Sequence, residues 1–135
     1  MRNDIILNKV DTIERCIIRI RDVYDFEPEN LKDFTLQDSI ILNLQRAIEA
    51  TIDIAMHIVS EKKLGLPQSS RDSFEILLEN NIISDLVLLK INDMIGFRNI
   101  AVHNYQKLNI DILQKIIEVH LDDFREFIDA IRNIK

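Results

Sequence analysis

The residues best suited to chemistry lie in one short segment in the last third of the chain. This segment has the sequence Gly96-Phe97-Arg98-Asn99-Ile100-Ala101-Val102-His103-Asn104-Tyr105. A histidine titrates near neutral pH and can pass a proton to or from an oxygen. An arginine offers a planar fork to phosphate oxygens and stabilises charge that develops on them. The combination suits phosphoryl transfer on RNA, in which the ribose 2′-hydroxyl can act as nucleophile without a metal ion.

Spacing along a helix decides which of these side chains can act together. Asn99 and His103 are one turn apart and share a face, while Arg98 and Tyr105 share the neighbouring face. The long Arg98 side chain can still bring its guanidinium group near the imidazole ring if the helix ends or bends close to Asn104. An arginine and a histidine at a helix C-terminus can equally serve the helix dipole, and spacing alone leaves both interpretations open.

Helical periodicity dominates the sequence that must position this segment. Apolar residues recur at steps of three and four over 4–24 and over 35–63, which predicts two long helices separated by Pro28. Thr35 is the expected N-cap of the second helix, and Gly65 with the proline that follows at 67 ends it.

Three further helices follow. Ser69 caps a short third helix, Ser84 or Asp85 opens a fourth that carries the candidate segment, and a fifth begins between Asn109 and Asp111. With only 2 glycines and 2 prolines, the chain lacks the turns of a many-stranded β-protein. The sequence predicts an all-α, up-and-down bundle of four long helices and one short helix, forming a single domain over residues 1–135.

The second helix is apolar over much more than one stripe, so we expect it to lie centrally in the bundle or at a subunit interface. Its polar residues Arg46, Glu49, Asp53 and His57 follow one another at steps of three and four. They could form a second wall of an active-site cleft or a Glu/Asp/His metal site. A solvated face with intrahelical ion pairs is the more common meaning of such a pattern.

The amino-acid composition and the net charge exclude several classes of protein. The 135 residues are 47% hydrophobic and 30% charged, as in an ordinary globular domain. The only cysteine, Cys16, excludes a disulfide framework and favours a packing role, and His120 on the stripe of the fifth helix is expected in the core or at an interface. The net charge of -6 argues against non-specific coating of nucleic acid. Without a targeting segment or a membrane span, a cytoplasmic location is expected.

The string Arg98-Asn99-x-x-x-His103-x-Tyr105, late in the fourth helix of an all-α chain, resembles the HEPN superfamily of ribonucleases. More narrowly, it is similar to HepT-type toxins paired with a minimal nucleotidyltransferase antitoxin of the MntA type. Further landmarks follow that family's order and spacing over nearly the whole chain: His57-Ile58-Val59, Leu66-Pro67, Phe74-x-x-Leu77, Ile82-Ile83 and Met94-x-x-Phe97.

The resemblance implies a role for each motif residue. Arg98 and His103 match the family's catalytic residues, and Asn99 matches the polar binding residue after the arginine. Tyr105 matches the tyrosine that the partner nucleotidyltransferase modifies with AMP, which silences the toxin. The resemblance also implies a homodimer with two motifs at a shared cleft, and the wide apolar surface of the second helix would suit such contacts. No cofactor and no metal are expected.

We therefore expect the toxin of a type VII-like toxin–antitoxin system, a metal-independent RNA endonuclease that acts as a dimer and binds no membrane. The acidic net charge is compatible with a compact cleft in which Arg98 and His103 create a local positive field. One alternative is a non-catalytic helical dimer that binds a nucleotidyltransferase or a nucleotide through the same residues. Another is a purely structural helical dimer.

Overall fold

The computed structural model describes residues 4–103 and 109–134, apart from the side chains of Val102 and His103. Its α-helices are α1 (Asp4–Tyr24), α2 (Phe34–Glu61), α3 (Ser70–Glu79), α4 (Asp85–His103), α5 (Ile110–Lys115) and α6 (Leu121–Arg132). A 3-10 helix (Pro28–Lys32) lies between α1 and α2, and a π-helical turn (Ile116–His120) joins α5 directly to α6. Over these residues there is no strand, and the predicted all-α class is confirmed.

Side-chain caps set where the helices begin. Ser69 and Asn109 are the N-caps of α3 and α5, and each side-chain oxygen accepts a backbone N–H of the first turn, as their sequence positions predict. The prediction for α2 is wrong by two residues. Asp33, in an extended conformation, accepts the N–H of Leu36 at 3.1 Å, so the helix begins before Thr35.

α2 is the central helix of the bundle. It packs against α1, α3 and α4, which together cover most of its circumference. Its buried residues are Gln37, Ile40, Ile41, Asn43, Leu44, Ala47, Ile48, Ala50, Thr51, Ile52, Ile54, Ala55, Ile58 and Val59. The apolar surface of α2 therefore forms the core of one chain. Of the two positions expected for α2, the central one is confirmed, and a dimer contact through its exposed residues Leu42 and Met56 stays a prediction.

The remaining helices close around this centre. α4 packs on α2, α3 and α6, and α3 meets α6 through an edge-to-face contact between Phe74 and Phe127, with ring centroids 5.6 Å apart. Cys16 is buried among apolar side chains, as expected of a packing residue. Within the described ranges, no helix has the length and apolar character needed to cross a membrane.

Candidate functional site

α4 positions the first half of the motif. The Ser84 hydroxyl caps the helix by accepting the N–H of Val87 at 3.2 Å. On one side α4 buries Ile91, Met94 and Ile95 in the core, which fixes the rotation of the helix about its axis. With this rotation, Arg98 is half-buried at the edge of the core and Asn99 is exposed beside it.

Arg98 has donor capacity that the protein leaves unused. Its Nη2 atom donates to Asn99 Oδ1 at 3.1 Å, which ties the guanidinium group to its neighbour on the helix. Its Nε atom is buried and has no hydrogen-bond partner among the described residues. An unpaired buried N–H is costly, by about 1–3 kcal/mol, and an anion that accepts its hydrogen bond recovers that cost. The arginine is therefore suited to holding a phosphate oxygen.

The second half of the motif begins at the C-terminal end of α4. His103 is the last residue of α4, and its side chain lies outside the described residues, as does the whole of Tyr105. The expected approach of the Arg98 guanidinium to the imidazole concerns these atoms and stays a prediction. The backbone of α4 nevertheless places position 103 on the same helix face as Gly96, Asn99 and Ile100, because they are separated by three, four and seven residues.

This face of α4 forms the floor of a groove that the sequence did not predict. The groove runs between the start of α3 and the helical segment 110–120, and has a volume of about 480 Å³. Its lining residues are Arg71, Asn92, Asp93, Gly96, Phe97, Ile100, Ile112, Lys115, Ile116 and His120. The residues come from three separate parts of the chain, so the sequence analysis singled out Gly96, Phe97, Ile100 and His120 without indicating that they line one groove.

His120 is held by a carboxylate at the wall of the groove. Its Nδ1 lies 3.0 Å from Asp123 Oδ2, and the nearly buried Asp123 also lies 3.8 Å from Lys90 Nζ. Lys90 in turn donates to Glu126 at 2.7 Å; this hydrogen bond, reinforced by the charges of Glu126 and Asp123, raises the pKa of Lys90. The histidine makes the single hydrogen bond expected from the sequence, but it lines a groove instead of filling the core.

The polar face of α2 has a different character. Asp53 forms an ion pair with Lys9 of α1 at 2.9 Å, and His57 Nε2 lies 2.8 Å from Glu61 on its own helix. In the part of the chain that the structure describes, no three His, Cys, Asp or Glu side chains come together as metal ligands. The His57 pair is intrahelical, as expected of a solvated face, whereas the Asp53 pair joins α2 to α1, and Glu49, Asp53 and His57 do not form the metal site that the sequence offered as an alternative.

Comparison with known proteins assigns this arrangement to a family. A family model described as Ribonuclease HepT-like matches residues 13–131. The chain is also 55% identical over 130 residues to the mRNA nuclease HepT of Shewanella oneidensis, an alignment that covers 96% of this chain and 98% of that protein. The chain belongs to the HepT-like ribonuclease family.

Solved structures show the same fold. A tri-AMPylated HEPN toxin of Shewanella oneidensis in complex with an MNT antitoxin is 54% identical, with a TM-score of 0.93 over 98% of this chain and 100% of that chain. A toxin–antitoxin complex with AMP-PNP is 55% identical, with a TM-score of 0.92 over 96% of this chain and 99% of that chain.

Proposed function

We propose that this protein is the toxin of a type VII-like toxin–antitoxin pair: a metal-independent endoribonuclease that acts as a homodimer in the cytoplasm. Its antitoxin would be an MntA-type nucleotidyltransferase that silences it by AMPylation of Tyr105. The observation that carries the proposal is the near full-length identity of 55% to an mRNA nuclease. The half-buried Arg98, with its unused Nε–H, supports it at the level of the site.

The proposed reaction transfers the phosphoryl group within the RNA. The ribose O2′ forms a bond to phosphorus as the bond from phosphorus to O5′ breaks, which leaves a 2′,3′-cyclic phosphate and a 5′-hydroxyl. One proton leaves the 2′-hydroxyl and one is added to the departing O5′; His103 performs one of these transfers and solvent water performs the other. Arg98 binds the non-bridging oxygens as charge builds on them. Asn99, which accepts the hydrogen bond from Arg98, orients the guanidinium group.

The cleavage assay tests these roles directly. We expect Arg98→Ala and His103→Ala each to lower the cleavage rate of an mRNA transcript in EDTA by about 100-fold or more. The exposed Arg125 of α6 provides a charge-matched control, Arg125→Ala, which should cleave normally. The 2′,3′-cyclic phosphate should be detected on the product ends. Full activity of either motif variant would overturn the mechanism, and RNA binding without products would favour the non-catalytic alternative.

The exposed face of α4 supports the proposed homodimer. Leu86 and Leu89 are 56% and 59% exposed, and Ile100 is 44% exposed on the same face. The spacing of these residues follows the three-and-four repeat of helices that pack along a seam. Position 103 continues this repeat, so a second copy packed against α4 would bring two motifs close together.

A pair of substitutions distinguishes this face from other exposed apolar positions. Leu89→Glu places a charge in the proposed contact, and we expect it to shift the protein from dimer to monomer in light scattering coupled to gel filtration. Leu42→Glu is the matched control because Leu42 is 45% exposed but lies on α2. A dimer that survives Leu89→Glu and dissociates with Leu42→Glu would place the contact on α2 instead.

AMPylation of Tyr105 is the proposed regulation. The tyrosine hydroxyl would attack the α-phosphorus of ATP held by the antitoxin, with loss of its proton and release of pyrophosphate. The support comes from the tri-AMPylated state of the related HEPN toxin. An anionic adenylate two residues beyond His103 would compete with RNA phosphate for Arg98. Intact-mass spectrometry after coexpression with the antitoxin should show added AMP that Tyr105→Phe abolishes; an adduct that persists in this variant would contradict the assignment.

A further inference from the structure

The groove beside α4 combines an apolar wall with a polar rim. The wall is apolar and consists of Phe97, Ile100, Ile112 and Ile116. The rim is polar and consists of Arg71, Asn92, Asp93, Lys115 and His120. A concave apolar wall with a few convergent polar groups is the usual composition of a small-molecule or cofactor site, and about 480 Å³ is within the size range of such sites.

His120 is positioned by an unusual backbone conformation. It ends the π-helical turn 116–120, and single π-helical turns inside helices are rare and occur frequently at functional sites. The turn is held from outside the groove, since the Tyr24 hydroxyl of α1 donates to Glu118. With Nδ1 of His120 bonded to Asp123, Nε2 is the ring nitrogen left to exchange a hydrogen bond with a ligand.

Asn92 and Arg71 provide the opposite side of the groove. The Oδ1 atom of Asn92 is buried and has no hydrogen-bond partner among the described residues. Arg71 reaches from α3 to α4, where its Nη2 lies 3.5 Å from the carbonyl oxygen of Asn92. The same Nη2 would lie 3.6 Å from a Cβ atom at position 96, so the guanidinium group stands beside Gly96 on the groove floor.

We propose that this groove binds one nucleotide unit of the RNA strand that the protein cuts. The inference rests on the proposed ribonuclease function and extends it to a second contact area beyond Arg98. A nucleobase has apolar faces for the isoleucine and phenylalanine wall and polar edges for the rim. Arg71 and Lys115 would bind its phosphate, and Nε2 of His120 would exchange a hydrogen bond with the base or the ribose.

The charges of the groove agree with this occupant. Asp93 also lines the groove, and its carboxylate would repel a phosphate placed next to it, so the phosphate contacts fall to Arg71 and Lys115. Asp93 and His120 are then available to the base or the ribose. The carboxylate of Asp123 contacts His120 Nδ1 and shares the ammonium group of Lys90 with Glu126, so among the described residues it pairs with neither Arg71 nor Lys115.

The position of the groove also favours RNA. Its floor is the face of α4 that continues to position 103, so a strand that passes the motif can extend into it. Leu86 and Leu89, on the N-terminal half of the same face, lie outside the groove and are the main residues of the proposed dimer contact, which meets the groove at Ile100. A polar and basic rim around Gly96 is less suited to an apolar partner helix.

Binding and cleavage measured side by side test the proposal. The binding probe is a fluorescein-labelled 2′-O-methyl RNA oligonucleotide, which lacks the nucleophilic hydroxyl. We expect His120→Ala and Arg71→Met each to raise its Kd about tenfold, as for loss of a hydrogen bond from a charged or oriented group. In cleavage assays the same variants should raise KM by a similar factor and leave kcat within about twofold, because they remove binding that is uniform through the reaction.

Two matched controls separate this role from a structural one. His57→Ala removes a histidine that is paired with a carboxylate on α2, away from the groove, and should change neither Kd nor KM. Gly96→Ala adds a methyl group at ordinary contact distance from Arg71 and should retain binding, whereas Gly96→Leu fills the floor and should weaken it more than tenfold. Gel filtration should show the oligomeric state of the wild type for every variant.

The outcomes distinguish the two proposals. Wild-type binding and KM in His120→Ala and Gly96→Leu would overturn the subsite while the ribonuclease function stands. Dissociation of the dimer by both variants, with RNA binding retained, would also overturn it and would assign the groove to the second copy. A wild-type protein that does not cleave RNA would overturn the proposed function itself.

Discussion

α2 and α4 look alike in sequence and differ in the folded protein. Both are apolar around much of their circumference. The 28-residue α2 has helices on several sides and exposes Phe34 at its first turn, Leu42 and Met56. The 19-residue α4 is covered on one side and exposes Leu86, Leu89 and Ile100. The difference lies in the neighbours of each helix: α1 packs on α2 more extensively than any other helix does, and no described helix covers the outer face of α4 in the same way.

A wide apolar surface on a helix can be buried within one chain or left exposed to water, and α2 and α4 are examples of the two cases. In α2 it is the core of a single chain, and its stabilisation is internal. In α4 it is surface that folding of the described residues leaves in contact with water, and α4 is the helix that carries Arg98 and Asn99. The proposed catalytic segment and the unburied apolar surface therefore lie on the same helix.

The largest expected effect is on stability. Ile54 of α2 is fully buried, and Ile54→Ala should lower the free energy of unfolding by about 2–5 kcal/mol through lost burial and the cavity left behind. Leu89→Ala on α4 should change the stability of the monomer by no more than about 0.5 kcal/mol. Urea unfolding at protein concentrations where the monomer predominates measures both. Equal losses would remove the distinction between the two helices.

An intermediate effect is expected at the start of α2. Asp33→Ala removes the acceptor of the Leu36 N–H and should cost about 1 kcal/mol of unfolding free energy. Thr35→Ala, within the first turn, should leave stability unchanged or raise it by about a few tenths of a kcal/mol, because Thr35 does not cap the helix and alanine has the higher helix propensity. Thermal unfolding followed by circular dichroism ranks the two variants. The reverse ranking would restore Thr35 as the cap and shorten α2.

The smallest expected effect is on the polar face of α2. Asp53→Asn breaks the exposed ion pair with Lys9 and should change stability by less than about 1 kcal/mol. Because this face contributes no group to the proposed site, the rate of RNA cleavage should equal that of the wild type. A cleavage defect in a variant that unfolds normally would show that the α2 face is a second wall of the cleft after all.

Local signals predicted the parts of the fold that depend on nearby residues. Ser69 and Asn109 were identified as helix starts because a cap bonds to backbone groups two or three residues away. Thr35 was misassigned because Asp33, two residues earlier, offers the same kind of acceptor, and the extended backbone that selects it is not visible in the sequence. The π-helical turn was missed because its residues keep an ordinary helical pattern.

In the candidate site, too, the contiguous part could be predicted from the sequence and the part built from distant residues could not. The motif from Arg98 to Tyr105 is contiguous, so its chemistry and its family resemblance could be found in the sequence, and the family is confirmed. The groove could not be found, because Arg71, Asn92 and His120 are each separated by about twenty residues or more and resemble ordinary surface residues. His120 was singled out in the sequence, but as a residue of the core or of an interface and not of a groove.

By itself, the sequence determined the helical class, most helix starts and the identity of the motif residues, since each depends on interactions within one or two helical turns. Only the tertiary structure decided that α2 is central, that the apolar face of α4 stays exposed and that α3, α4 and the π-helical turn enclose a groove. These features depend on which helix covers which face. That choice is made by packing between residues far apart in the chain, and the period of an apolar pattern contains no information about it.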